Sequence, residues 1–556
     1  MEYQAQVAGR CQRQFIRTKD PRDSDICQWI GQWVNGVDRQ PPFTTSGLRI
    51  TEAAIDWRLI SNSGVDEGVI RPVIGAGGWP LIPGSGLKGL FRRVCPPSRL
   101  LRWCGSPSAP GDLQPGILRF HGAWPADPSW MEGLLDVAHP QQEWQVGIGR
   151  GKSGGAFSIV SLFRPRLQIG LSSTDQSLSD AEWQEIEETL RRALQQGIGG
   201  RTCVGYGSSG TISGDPLFQC SLEGQGPAAK LLDGTAEFRP TMFRAAIRGM
   251  ALRLFGGLCD ENTARLVVGR LFGSLSREEG QNVGLLAAAY TDATTELGSY
   301  GRGSWQQPTY ATSGILQWRL MRRCRDGENK ELLGELLAAL HGITMSLGGF
   351  GKGWRRPDHS IFYPGYGKTP IGCHWQWRDP NQLPPWVHVQ SSADLVELLQ
   401  RSRQLAARWL EAIGRKSPGQ ALWRELIHPQ TMRIWTRRAS DAGDAKVVNW
   451  FHHELKGTVL GGKVSQVGRL WNRLLPLAAP MARPAKPLAR PAAVARPGGS
   501  RQPPAPPRGQ VSIAVHQGAF LESLVLFPGQ LPESTAFIQL MNQGKGAEAG
   551  FRAINF

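Results

Sequence analysis

The chain has 556 residues, enough for two or more domains, and 40% of them are hydrophobic, enough for real cores. Its 63 Lys and Arg against 46 Asp and Glu give a net charge of +17, which suits nucleic acid and says nothing about fold. No apolar run of about 18 residues is present, so no membrane partner is expected; the N-terminus lacks a signal layout, and nine scattered cysteines, never spaced Cys-x-x-Cys, point to reduced thiols in a cytoplasmic protein without a structural zinc.

Residues 1–46 read as an N-terminal extension with a short helix near Asp25–Val37. A strand is expected at Leu48–Ile60, a Gly/Ser-rich loop at Ser61–Gly78, and a helix from Ser85, with that serine as N-cap. Trp144–Gly155 is a glycine-rich insertion, and Phe163–Gly170 is strand-like. Asp180–Gln196 is a helix capped by Ser179 or Asp180, with acids in its first turns and Arg191 and Arg192 late. A second series follows: a strand at Leu217–Leu222, a loop at Glu223–Gly234, and helices at Thr241–Phe255 and Asn329–His341. Beyond Tyr363 come a helix at Ala393–Ile413, a strand at Thr431–Thr436 and the basic run Gly457–Arg473. Residues 476–510 are rich in Pro, Ala and Arg with no acid, the composition of a linker, and the tail 511–556 returns to strand-like sequence at Phe520–Phe527. The 20 tryptophans serve either as core or as stacking surfaces for bases.

One pattern is stated twice. Pro83-Gly-Ser-Gly-Leu-Lys-Gly89 opens a basic helix, Arg102-Trp-Cys-Gly105 follows, and Gly197-Ile-Gly-Gly-Arg-Thr-Cys-Val-Gly-Tyr-Gly207 closes the series. The looser copy runs from Phe238–Gly249 through Arg270-Leu-Phe-Gly273 to Gly342–Gly353. A glycine-flanked basic helix start and a distal glycine loop are two anion-binding elements, since glycine lets backbone N–H groups approach a phosphate closely. Two such pairs suggest a tandem polyanion binder.

This motif set resembles the RAMP family, the repeat-associated backbone subunits of CRISPR effector complexes. The likeness covers about residues 47–363 and is nearest to type III subunits, in a fused, type III-D-like form. The resemblance implies an α+β fold of tandem modified ferredoxin-like (RNA-recognition) domains with inserted thumb hairpins, Trp144–Gly155 being a candidate thumb. The expected division is 1–46, 47–214 (first RAMP domain), 215–475 (second), 476–510 (linker) and 511–556 (C-terminal segment). The implied partners are guide (CRISPR) RNA, target RNA and other effector subunits. The expected RNA contacts are Ser85, Lys88, Arg92, Arg93, Arg150, Lys152, Arg201 and Tyr206 in the first unit. Arg244, Arg248, Lys352, Arg355, Lys463 and Arg469 extend the set. Shape and phosphate reading suffices, because base pairing carries the sequence information.

The family places a cleaving Asp before the Pro-Gly-Ser helix start. Val65-Asp66-Glu67-Gly68-Val69-Ile70-Arg71 fits that position, and Asp66 is the expected catalytic residue and ligand for Mg²⁺ or another divalent cation, with Glu67 beside it. In the second unit Asp233 is the counterpart, but Pro-Gly-Ser is absent, so one cutting and one silent unit is the expectation. The alternatives are a non-catalytic guide-binding scaffold, a stand-alone guide-processing nuclease relying on His121 or His139, and a generic tandem RNA-binding protein. Gly147–Ser153 falls one residue short of a P-loop and lacks its preceding strand. His452-His453-Glu454 points to different helix faces rather than to one metal. His341 reads as a helix-end cap, His359 as an RNA-contact candidate, and Arg437-Arg438 as a solvated pair.

Overall fold

The computed structural model describes residues 6–7, 25–41, 43, 45–66, 69–105, 114–138, 156–211, 215–231, 234–274, 283–301, 303, 306–359, 372–415, 419–452, 470–477, 516, 518–529 and 532–556. The chain is α+β, with three antiparallel sheets following one another along the sequence.

The first unit contains α1 (Asp25–Asn35), β1 (Arg49–Ala54), β2 (Asn62–Asp66), β3 (Val69–Pro72), α2 (Gly84–Val94), α3 (Pro97–Cys104), β4 (Leu118–Pro125), β5 (Leu135–Ala138), β6 (Ala156–Val160), β7 (Arg166–Ser173) and α4 (Asp180–Leu194). Strand β7 lies between β1 and β4, with Ile169 opposite both Thr51 and Ala123. Alternate residues Leu167, Ile169 and Leu171 are buried with Leu87, Leu90 and Phe91 of α2 and Ile186, Leu190 and Ala193 of α4. Those spacings of two in the strand and three to four in the helices are what bury one face of each. Ser179 Oγ accepts from Glu182 N at 3.2 Å, so the expected N-cap of α4 is present. The N-terminal extension is not separate: Trp33 Nε1 of α1 donates to Gly78 O at 2.8 Å, and its ring packs on Trp130.

The stretch expected as a loop at 61–78 holds the hairpin β2–β3, with Asp66 opposite Val69. Its Gly/Ser-rich sequence lacks the large alternating side chains that announce a strand. This hairpin continues into a second small sheet, where β3 pairs with β6 in parallel (Ile70 opposite Ile159) and β6 pairs with β5.

The second unit contains β8 (Phe218–Pro227), α5 (Thr241–Gly256), α6 (Glu261–Phe272), β9 (Leu286–Tyr300), β10 (Gln307–Leu320), α7 (Lys330–Leu347), β11 (His374–Trp377) and α8 (Ser392–Ala412). The sheet order is β9–β10–β8–β11. Strands β9 and β10 pair from Leu286↔Leu320 out to Tyr300↔Gln307, a long hairpin with a bulge between Thr291 and Thr294. His341 does not cap a helix end; it lies inside α7, fully buried, accepting from Trp318 Nε1 at 3.0 Å and donating from Nδ1 to Leu337 O at 2.7 Å. Burial holds it neutral, with its pKa pushed down to about 4.

The third unit is not legible in the sequence. It contains β12 (Arg433–Ala439), α9 (Val447–His452), β13 (Leu470–Pro476), β14 (Phe520–Leu526), α10 (Pro532–Gln543) and β15 (Arg552–Ile554). Its order, β13–β14–β12–β15, repeats the second sheet strand for strand: second, third, first, fourth, with helices after the first and third. Pro476 pairs with Phe520. The expected division is therefore corrected: the Pro/Ala/Arg-rich segment joins two neighbouring strands, and 511–556 completes a sheet begun at Arg433. The second and third units share one core, in which Trp471 and Val525 are buried together with Trp375 and Leu336. The eight described cysteines are free thiols, and among the described residues no helix is long and apolar enough to cross a membrane.

Candidate nucleic-acid interface

The first glycine-flanked helix start is set by contact. A Cβ on Gly84 would lie 1.9 Å from Phe120 O, so only glycine lets α2 begin flush against β4. The N-cap is Pro83, and no side chain caps the helix. Ser85 does not cap; it is exposed beside exposed Gly86, at a helix end whose N–H dipoles favour an anion. Lys88 is half-buried one turn on, and Arg93 is exposed. Arg92 is taken elsewhere: its Nη1 donates to Cys104 O at 3.3 Å and Gly105 O at 3.0 Å, closing the end of α3.

The first glycine loop folds onto the second unit. Ile198 N donates to Gly207 O at 3.0 Å, and a Cβ on Gly199 would stand 2.2 Å from Ile60 O. Arg201 takes a left-handed backbone, φ +56°, and lies over the Tyr206 ring at 5.8 Å. Arg319 of β10 reaches this loop, donating to Gln196 O and Oε1. Arg244 of α5 donates to Phe272 O. These two hold carbonyl and amide oxygens rather than carboxylates. Burial, opposed by the Cys203 sulfur and assisted by Arg248 and Arg201, pushes Arg244 down to about 10. Burial first, then Arg93 against the same sulfur, push Arg319 down to about 10. Arginines from two units thus gather around Cys203: Arg244 feels Arg248 and Arg201, and Arg319 feels Arg93. Their buried members support the potential, while exposed Arg93 and half-buried Arg201 present it.

Elsewhere the same junction is electrically closed. Arg58 is bound to Glu237, and Arg239 reaches Glu237 at 2.9 Å and Asp136 at 2.7 Å. Tyr206 is not an RNA-facing residue: it is 1% exposed and its hydroxyl donates to Asp136 at 2.8 Å. Burial pushes the Asp136 carboxyl up, but Arg239 and Arg58 outweigh it and hold it below the usual range. At the edge of the junction Asp56 accepts from Gly210 N at 3.0 Å. Burial, opposed by that N–H and assisted by Asp292, raises Asp56 to about 6.

The second glycine loop seats on the third unit in the same manner, with Asn472 N donating to Arg355 O at 2.8 Å. Here the guanidiniums meet a carboxylate. Arg253, Arg355 and Arg424 all bind the buried Glu425, and Arg253 and Arg355 stack against Trp354 and Trp471. Arg355 is therefore a packing residue, as are the buried Arg244 and Arg248, whereas Lys352 is exposed. Arg437 is likewise no solvated arginine, being buried between Asp444 and Glu522. His359 is 4% exposed, with Nδ1 2.7 Å from Pro357 O, away from any solvent-facing role.

Asp66 ends β2. Because β3 and β6 run parallel, Val69 and Ala156 begin their strands at the same end of one sheet. Glu67, Arg150, Lys152, Asp233, Lys463 and Arg469 lie outside the described residues, as do the P-loop-like stretch and His139. His121 Nε2 is 2.7 Å from Ser172 Oγ on the sheet. Among the described residues no group of three or more His, Cys, Asp and Glu could hold a metal ion. The junction arginine that sequence reasoning missed is Arg319, which lies in a strand, outside both glycine motifs.

No protein-family model matches the chain, and no curated protein does. Among solved structures, a chain of the type III-B Cmr-beta assembly bound to cognate target RNA, determined by cryo-electron microscopy, is similar at 17% identity and a TM-score of 0.22. That similarity covers 29% of this chain and 56% of the other.

Proposed function

We propose that this chain is an RNA-binding subunit of a type III CRISPR effector, gripping guide RNA by its phosphates and cutting the paired target RNA at Asp66. The observation that carries the reading is the arginine group around the first glycine loop. Arg244 and Arg319 are buried there on neutral acceptors, which leaves positive charge for the polyanion to meet. The strand order shared by the second and third sheets supports reading the units as ferredoxin-like, and the long β9–β10 hairpin occupies the place of a thumb. The catalytic part rests on the sequence motif and on the position of Asp66 at the end of a hairpin strand, opposite Val69. Asp66, with Glu67, would hold a Mg²⁺ whose remaining ligands are water and RNA phosphate, the usual shell of that ion when few carboxylates are supplied.

The test is cleavage of labelled target RNA by the assembled complex carrying guide RNA, in Mg²⁺ and in EDTA, with Asp66→Ala and Asp233→Ala. Loss of one cut with Asp66→Ala, target binding intact, is expected. An unchanged ladder in both variants would remove the nuclease assignment and leave a guide-binding scaffold.

A further inference from the structure

A cavity of about 420 Å³ opens where the second unit meets the third. Its walls come from the last turn of α7 (Met345), the end of β11 (Gln376, Trp377), the 380–390 segment, and the end of β13 (Leu475). The apolar part is buried Met345, Leu383 and Leu475, with the half-buried Trp377 ring beside them. Two polar atoms in the lining are buried without a hydrogen-bond partner: Gln376 Oε1 and His388 Nε2. Gln376 is 4% exposed, and its Nε2 donates to Glu223. That bond assigns the amide, leaving Oε1 as the acceptor. Gln376 also interacts with the ring of His374, which burial and then the charge of Arg473 hold neutral at a pKa of about 3.

A buried polar atom left without a partner costs stability, and native interiors hold few of them. A flat aromatic face, aliphatic walls and a few fixed polar atoms make up a site for a planar heterocycle bearing N–H donors. We infer that this cavity receives one unpaired nucleobase, stacked on Trp377 and read by Gln376 Oε1 and His388 Nε2. The acceptor takes an N–H of the base edge, whether an exocyclic amine of adenine, cytosine or guanine or the N3–H of uracil. Arg473, on the same β13 face as Leu475, donates from Nε to Met345 O at 2.9 Å and also to Trp375 O, keeping a cation near the entering strand. The inference rests on the RNA-binding reading for its strand-borne source, and a free nucleotide offers the same base.

The experiment uses the full chain and three probes: a 12-nucleotide single-stranded RNA, the same strand with one abasic position scanned along it, and the four free nucleoside monophosphates. Wild type should lose about fivefold in affinity when one particular base is removed. Trp377→Ala should lose about tenfold on the intact strand and nothing further on the matching abasic strand. Gln376→Leu should lose about fivefold on the intact strand and nothing further on the matching abasic strand, with ultraviolet cross-linking to Trp377 lost in parallel. Binding of free monophosphates with the same dependence on Gln376, but no strand effect, would assign the site to a nucleotide and still uphold base recognition. Lys88→Ala tests the other reading separately, because it should weaken intact and abasic strands equally. Intact-strand and monophosphate binding indifferent to both Trp377→Ala and Gln376→Leu, in variants that melt like wild type, would overturn the inference whether or not RNA binds elsewhere.

Discussion

At the residue scale, the junction between the first two units is a problem in charge placement. Glu237 stands between Arg58, 1% exposed, and Arg239. Removing it leaves two buried guanidiniums to share Asp136, so Glu237→Ala should cost about 3–5 kcal/mol in denaturant unfolding. Asp56 works in the opposite sense. Its pKa, about 6, is raised above the ordinary value of 3.8, so its ionisation disfavours the folded state. Stability present below about pH 4 is lost as pH rises through 6. Asp56→Asn should therefore melt at nearly the wild-type temperature at pH 4 and above it at pH 7. A constant gap between the two would contradict the assignment. The sequence names many of the right arginines but not their roles. Arg92, Arg244, Arg248 and Arg355 are basic residues in or beside glycine-rich motifs, and only tertiary partners, such as Glu425 for Arg355 or Phe272 O for Arg244, reveal that they are internal.

At the scale of elements, the motif glycines separate into contact and conformation. Gly84 faces Phe120 O with no room for a methyl group, while a Cβ added to Gly86, in the same helix turn, would meet nothing within 4 Å. Gly84→Ala should lose about 1–3 kcal/mol by forcing α2 off β4. Gly86→Ala should be neutral or gain up to about 1 kcal/mol from helix propensity; thermal melts of the pair make the comparison. The helices are the most readable elements, because caps such as Ser179 and Asn329 and the 3.6-residue apolar period are local signals. Strands are harder to read. The strands of the hairpin β2–β3 are only five and four residues long and sit in a Gly/Ser-rich stretch, and the 15 residues of β9 carry four Ala and a Gly where large β-formers would announce a strand.

Across the whole molecule, the chain is a series of three units in which the glycine loops of the first and second seat on the next. The third unit escapes sequence reading because its second and third strands are separated by a Pro/Ala/Arg-rich stretch that resembles a linker, and pairing of Pro476 with Phe520 is a long-range fact. Since those residues are neighbours, replacing 478–515 by a short Gly/Ser turn should leave the third sheet intact and stabilise it by about 1 kcal/mol through a smaller loop-closure entropy. Truncation after Ala421 should instead unfold the second unit as well, because Trp471 and Val525 belong to its core and Arg473 holds the end of α7. The two junctions differ in what holds their arginines: the carboxylate of Glu425 binds three at the second, and neutral oxygens hold Arg244 and Arg319 at the first. The most direct test of that contrast is the salt dependence of RNA binding by the full chain and its Lys88→Ala, Arg93→Ala, Arg201→Ala and Lys352→Ala variants. Each of the three first-junction variants should lower the slope of log affinity against log salt by about 0.7, the value for one phosphate contact on a single strand. Slopes unchanged in all three, or a loss confined to Lys352→Ala, would contradict the placement of the RNA backbone at the first junction.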